Sequence, residues 1–285
     1  MTRKNPAPAK KAGDPGPITL LTDFGDRDGY VGAMKGVIAS LAPNVSVIDI
    51  CHAVPPQDLL HAGLTWRSAV RFFPRGSVHV CVVDPGVGTA RRILSFDALG
   101  SVFLAPDNGL IGLVLEKREV RRVIAVTERR YFLPEVSSTF HGRDIFAPVA
   151  ALIATGLDPR ELGRPARSYR RQTLSRPRRR RIAPRSAKGR PMVEESGEVM
   201  YVDGFGNVVT NIPPREGARL KRLETARCHF FDRIEPTYGC VPDGAALLLV
   251  GSLGFLEIAI NGGSAERDLD LRRGDQVVAL WEEAR

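Results

Sequence analysis

Asp84 stands where an apolar run stops. Val78-His79-Val80-Cys81-Val82-Val83 precedes it, Pro85-Gly86-Val87-Gly88 follows, and Arg91 lies seven residues on. The β-branched run reads as a buried strand, and the Pro-Gly turn forces the backbone round at the acid. Open α/β sheets bind their ligands at the carboxyl ends of such strands. The layout recurs. Leu20-Leu21-Thr22-Asp23-Phe24-Gly25 again ends a strand in an acid, which either accepts from the two hydroxyls of a ribose or caps the next helix. Ala105-Pro106-Asp107-Asn108-Gly109 is a third strand-end turn, its Asn-Gly suited to positive φ. Among the five histidines, only His141 lies in a polar strand-to-helix loop, Thr139-Phe140-His141-Gly142-Arg143-Asp144. It meets Asp84 if the two loops share a rim. Further on, Asp203 and Asn207 lie four apart in a Gly-containing loop, a spacing able to grip an amino-acid head group with the carboxylate facing the ammonium.

The elements that must position these residues come in two styles. Strand-like runs at 18–22, 45–50, 77–83, 101–104 and 120–126 alternate with helical patterns at 29–41, 58–73 and 145–155. That alternation predicts a three-layer α/β domain over 18–163, with a mostly parallel sheet between helices. After residue 192 the pattern becomes short strands, at 198–202, 208–211, 245–250, 256–260 and 276–280, separated by Gly, Pro and Asp. It predicts a small all-β barrel over 192–285.

Charge separates the two. The chain carries 41 Lys and Arg against 32 Asp and Glu, a net +9, yet twelve of the bases fall within 164–190, a stretch without an acid. This block is expected to be a solvated basic linker over 164–191. A functional reading is weak, salt-sensitive polyanion binding, but only Tyr169 interleaves with the arginines, so nucleic-acid binding by base stacking is not expected. Residues 1–17 are Pro-, Ala- and Lys-rich and read as a disordered tail without a signal segment. No apolar run is long enough to span a membrane. Cys51, Cys81, Cys228 and Cys240 show no CxxC spacing, and neither a disulfide framework nor a metal site is expected. The expected setting is the cytoplasm.

Taken in order, TDFG, VDPGVGT with Arg91, PDNG, TFHGRDIFAP, VDGFGNVVTNI and LVGSLGFLEIAINGGSA resemble one family, the S-adenosyl-L-methionine hydroxide adenosyltransferases, relatives of the nucleophilic fluorinating and chlorinating enzymes. The resemblance covers about residues 18 to 280. It implies an α/β domain followed by a β-barrel, assembled as a homotrimer with sites between subunits, and hydrolysis of S-adenosylmethionine to adenosine and methionine without a cofactor. It implies a catalytic Asp84–Arg91–His141 triad, with His141 as the titrating group and general base. It places ribose on Asp23, methionine on Asp203 and Asn207, and adenine near Asn261 and Gly262 with Phe140 as a stacking surface. The alternatives are a halide-dependent relative and a nucleoside-binding protein without chemistry. The linker reading carries its own expectation: deleting 167–190 leaves catalysis in place.

Overall fold

In the computed structural model, which describes residues 16–183 and 190–283, two compact units divide between Thr173 and Leu174. The expected 1–17 tail lies outside the described residues except for Gly16 and Pro17, and the Pro17 carbonyl accepts from Val78 N at 3.0 Å.

Alternation along the strands builds the first unit. Ile18 and Leu20 of β1 (Ile18–Thr22) face one core while Leu21 faces the other. The same happens in β3 (Val78–Val82), where Val78, Val80 and Val82 oppose Cys81. Both faces are therefore apolar, as a parallel sheet covered on both sides requires. Helices α1 (Tyr30–Leu41) and α4 (Ala147–Ala154) cover one face, and α2 (Leu59–Val70) and the single turn α3 (Ile111–Val114) cover the other. Asp58 caps α2 by accepting from Leu60 N and His61 N. Trp66, Phe96 and Phe103 are fully buried, and each such side chain contributes about 1.5–3 kcal/mol.

The sheet order is β2-β1-β3-β5-β4-β6-β7. Strands β2 (Val47–Cys51), β1, β3 and β5 (Ser101–Pro106) run parallel, whereas β4 (Ile93–Ala98), β6 (Val120–Val126) and β7 (Gly163–Pro165) extend the sheet in antiparallel fashion. The sequence pattern leaves β4 out because its turn is disguised. Leu99 and Gly100 both take positive φ (56° and 77°), a two-residue hairpin that pairs Ala98 with Ser101, and leucine is a poor advertisement for that conformation.

The second unit is antiparallel throughout, in the order β12-β11-β15-β9-β10-β14-β13, with β8 also paired to β9. Its strands are β8 (Arg178–Ile182), β9 (Met192–Val202), β10 (Val208–Thr210), β11 (Ala218–Thr225), β12 (Phe230–Phe231), β13 (Ala246–Val250), β14 (Leu256–Ile260) and β15 (Gln276–Glu283). This barrel-like sheet curls about one core that includes Leu223, Ile258 and Trp281, and the one-turn helix α5 (Ala265–Asp268) adds Ala265.

The basic segment is not a free linker. Residues 164–173 lie on the first unit: Ala166 N donates to Val123 O, and Arg171 Nη2 to Leu115 O at 2.7 Å. Farther on, Arg178–Ile182 pair with β9, where the arginines find acids that the sequence keeps twelve or more residues away. Arg180 bridges Glu194 at 3.0 Å, and Arg179 bridges Glu195 at 2.6 Å. Glu195 is fully buried and also accepts from Trp281 Nε1 at 3.1 Å, with Arg215 3.4 Å away. Residues 184–189 of the expected linker lie outside the described residues. No helix among the described residues is long and apolar enough to cross a membrane.

Deleting residues 167–190 strips Arg179 from a buried carboxylate, so the variant expected to keep its catalysis is also expected to lose stability. Glu195→Ala, which leaves Trp281 Nε1 and Arg179 without their acceptor while Arg215 keeps Glu283, is expected to lower unfolding stability by about 2–4 kcal/mol in a denaturant titration.

Candidate active site

Parallel pairing of β1 with β3 sets Thr22 opposite Val82, so Asp23 and Asp84 leave the same edge of the sheet one and two residues later. Asp23 is held by its neighbour loop: its Oδ2 accepts from Gln57 N at 2.8 Å, where Gln57 takes φ 63°. Asp84 is held from behind. Asn108 Nδ2 donates to Val83 O at 2.8 Å, which ties the third strand-end turn to the residue before the acid.

The turn after Asp84 closes with Val87 N donating to Asp84 O and Thr89 Oγ1 to Gly86 O (2.7 Å), which returns the chain so that Arg91 points back at the acid. Gly88 has φ 76°, and a β-carbon there would come within 2.3 Å of Ser138 O. Only glycine lets this turn lie against the loop that carries His141. That second loop is anchored by Asp144, whose side chain has no exposed surface. Asp144 accepts from Ser137 N at 2.8 Å and Arg143 Nε at 2.6 Å, while its carbonyl accepts from Leu133 N. The five residues Gly142–Phe146 form a single π-helical turn that continues into α4.

Together these loops bring three groups into contact. Arg91 Nε donates to Asp84 Oδ2 at 2.7 Å, Arg91 Nη2 lies 2.5 Å from the same oxygen, and Arg91 Nη2 lies 2.7 Å from His141 Nδ1. The Asp84 and Arg91 side chains are only 4% and 9% exposed, so solvent screens this pair little. A guanidinium has no acceptor, so Nδ1 must accept and the neutral ring carries its proton on Nε2. Burial pushes the His141 pKa down and the Arg91 charge pushes it further; Asp84 and Asp144 oppose them incompletely, leaving it below its ordinary 6.5. The other Asp84 oxygen, Oδ1, is buried and has no hydrogen-bond partner among the described residues. The sequence-based expectation that His141 acts as general base meets a physical obstacle, because its one acceptor nitrogen faces Arg91. What the ring presents elsewhere is an N–H donor.

Asp23, Phe140, Asp84 and His141 line one cavity of about 310 Å³, together with Phe24 and Tyr30. That volume lies at the small end of the range for small-molecule sites. Phe24, Tyr30 and Phe140 pack together, Phe140 edge-on to the other two, with ring centroids 5.1–5.8 Å apart. The Arg143 guanidinium lies 5.0 Å from the Phe140 ring centre. On the other face of β3, burial raises the Cys81 thiol far above its ordinary pKa, so it stays protonated.

The remaining expected contact residues belong to the second unit. Asp203 Oδ1 accepts from Phe205 N and Asn207 N at 2.9 Å each, and Oδ2 from Asn207 Nδ2 at 3.0 Å, so the pair shapes its own turn. Asn261 Nδ2 donates to Val241 O and Asp243 Oδ1, and Gly262 takes φ 70°. Among the described residues, no three of His, Cys, Asp and Glu gather in a way that holds a metal ion. The sequence reading passed over Asn108 and Asp144 as positioning residues. Both stand inside the motifs it quoted, but a side chain that serves a backbone carries no chemical signature of its own.

An α/β unit with an acid–guanidinium–imidazole chain beside an aromatic cavity at its strand ends, followed by a β-barrel unit, defines a class of small-molecule enzyme. The chain belongs to the SAM hydroxide adenosyltransferase family: residues 18–163 match the family's N-terminal domain and residues 197–278 its C-terminal domain. It is similar to the (R)-S-adenosyl-L-methionine hydrolase of Thermus thermophilus, with 38% identity over 93% of this chain and 99% of that protein. The hydrolase of the same name from Salinispora tropica is 38% identical over 91% of this chain and 96% of that protein. A more distant relative is the fluorinase of Nocardia brasiliensis, at 26% identity over 91% of this chain and 95% of that protein. The crystal structure of an uncharacterized conserved protein from Thermotoga maritima superposes with a TM-score of 0.79 at 35% identity, covering 92% of this chain and 99% of that one.

Gly88→Ala tests the loop contact. It places an alanine at positive φ against the Ser138 carbonyl and pushes the two loops apart. Turnover is expected to fall by roughly 10²-fold, as it does when reacting groups are displaced by about an ångström, measured as kcat on a variant whose circular dichroism matches the parent.

Proposed function

We propose that this protein hydrolyses S-adenosylmethionine by attack of a water-derived oxygen on C5′, releasing adenosine and methionine. One observation carries the proposal: a buried, unpartnered carboxylate oxygen, Asp84 Oδ1, beside Arg91 and His141 at the cavity that also holds Asp23. The relatives named as hydrolases support the same substrate.

The chemistry follows from what each group can do. A sulfonium carbon is already activated, because its leaving group is a neutral thioether. Water lacks only orientation and a place for its proton. Asp84 Oδ1 accepts a hydrogen bond from the water and turns a lone pair toward C5′. The His141 Nε2–H donates to the oxygen and fixes its position. Arg91 donates to Asp84 and keeps His141 in the tautomer that can donate. As the O–C5′ bond forms, the C5′–S bond breaks with its electron pair left on sulfur. The oxygen becomes strongly acidic and its proton passes to Asp84, and from there to solvent. Closing such a site to bulk water further favours a step in which charge is neutralised.

Asp23 is assigned to the ribose hydroxyls and Phe140 to the base. The Asp203–Asn207 turn is assigned to the amino-acid end, and Asn261 with Gly262 to adenine. The proposal includes a homotrimer, as the family resemblance implies, and a reducing cytoplasmic setting, which the four free cysteines fit. Light scattering on the purified protein checks the assembly.

Incubation with S-adenosylmethionine in ¹⁸O-water is expected to give adenosine labelled at the 5′-oxygen. Unlabelled adenosine, or 5′-halo-adenosine formed only with added chloride or fluoride, would refute the reading. Asp84→Ala, Arg91→Ala and His141→Ala are each expected to reduce kcat by about 10²-fold or more while adenosine still binds in calorimetry.

The pH dependence follows from His141. Only the neutral ring accepts from Arg91, so activity is present above the depressed His141 pKa and lost as pH falls through it. The acid limb of kcat/KM should therefore have its midpoint below 6.5, and His141→Asn should abolish that limb. By linkage, a depressed histidine pKa also means that folding stability is lost, not gained, on acidification.

A further inference from the structure

Behind Asp23 lies a string of side chains that the reaction itself does not use. Thr22 has no exposed surface and His52 is buried. Thr22 Oγ1 lies 2.8 Å from His52 Nδ1 and accepts from Phe24 N at 3.3 Å. His52 Nε2 lies 3.1 Å from Asp49 Oδ1, too poorly aligned to count as a hydrogen bond. Lys35 Nζ lies 2.5 Å from the other Asp49 oxygen at the surface. The carbonyl of His52 accepts from Gly25 N at 2.8 Å.

The residues on either side of this string fix its sense. A carboxylate opposite Nε2 selects the tautomer with its proton there, in which Nδ1 accepts from the Thr22 hydroxyl. Thr22 then donates to the histidine and accepts from Phe24 N, so both of its roles are used. Asp49 supports the same picture. Burial raises its pKa, but the neighbouring Lys35 and His52 outweigh burial and hold it below its ordinary value. The turn Thr22–Gly25 is thus gripped twice, at Phe24 N by Thr22 and at Gly25 N by His52. Asp23 lies within the span that the Thr22 hydroxyl closes onto Phe24 N, just before the second grip, and it lines the cavity.

We infer that Thr22, His52 and Asp49 are positioning residues that fix the Asp23 turn in the orientation that reads a ribose. The inference rests on the assignment of Asp23 to the sugar hydroxyls. It predicts an effect on binding rather than on chemistry, because the ribose is held alike in the bound state and the transition state.

The test uses the full chain, with adenosine as the calorimetric probe and S-adenosylmethionine for kinetics. Thr22→Val keeps the shape but removes the hydroxyl, which leaves Phe24 N–H and His52 Nδ1 without partners. It is expected to raise the adenosine Kd and the KM roughly tenfold, with kcat within about twofold of the parent. Thr22→Ser, which restores the hydroxyl, should return both to within about twofold. Asp23→Asn alone should weaken adenosine binding, and Thr22→Val added to it should cost nothing more, since the brace acts through Asp23. Full additivity in the double variant, or parental binding by Thr22→Val, overturns the brace while leaving the ribose assignment intact. Parental binding by Asp23→Asn overturns the assignment and the brace with it. If Thr22→Val does not fold, Asp49→Asn at the surface carries the test. It should raise KM about threefold with kcat unchanged, and an unchanged KM overturns the brace.

Discussion

A guanidinium can only donate hydrogen bonds, and the site depends on that one-sidedness. Placed between a carboxylate and an imidazole, Arg91 draws one Asp84 oxygen and one His141 nitrogen to itself. It thereby decides what the remaining atoms can do. The second carboxylate oxygen is left as an acceptor and the second ring nitrogen as a donor, so a water molecule between them meets complementary partners. Reverse the polarity of the central group and neither neighbour is prepared. The loops, glycines and buried acids around the site serve to hold this chain of three.

The strand ends that carry the chemistry were legible because they combine two strong local signals, a β-branched apolar run and an abrupt Gly- or Pro-containing turn. Ile18–Thr22 and Val78–Val82 are strands where the alternation placed them, and Asp23 and Asp84 emerge at the same edge. What the pattern hid was non-local. Strand β4 escaped because Leu99 occupies a conformation normally marked by Gly or Asn. The arginine block read as a solvated loop because its acidic partners stand on β9, and charge counting along the chain cannot see across a sheet.

Within the candidate site, residues proposed to touch a ligand were easier to pick out than residues that hold those residues. Asp84, Arg91 and His141 announce themselves by type and by the turns around them. Asp144, Asn108 and His52 serve backbone groups or neighbouring side chains, and each looks like an ordinary polar residue until its partner is known. The direction of the His141 hydrogen bonds was equally invisible. Sequence suggests a base because histidine titrates near neutrality, whereas geometry assigns its lone pair elsewhere.

The close approach of Gly88 to the Ser138 carbonyl bears on how this scaffold can be re-engineered. The two surfaces meet through backbone, so the fit of each loop is defined by the path of the other and not by interchangeable side chains. A segment transplanted from a homologue on one side alone would arrive with the wrong contour. The turn after β3 and the stretch leading into α4 form one hereditary unit, to be exchanged together or left alone.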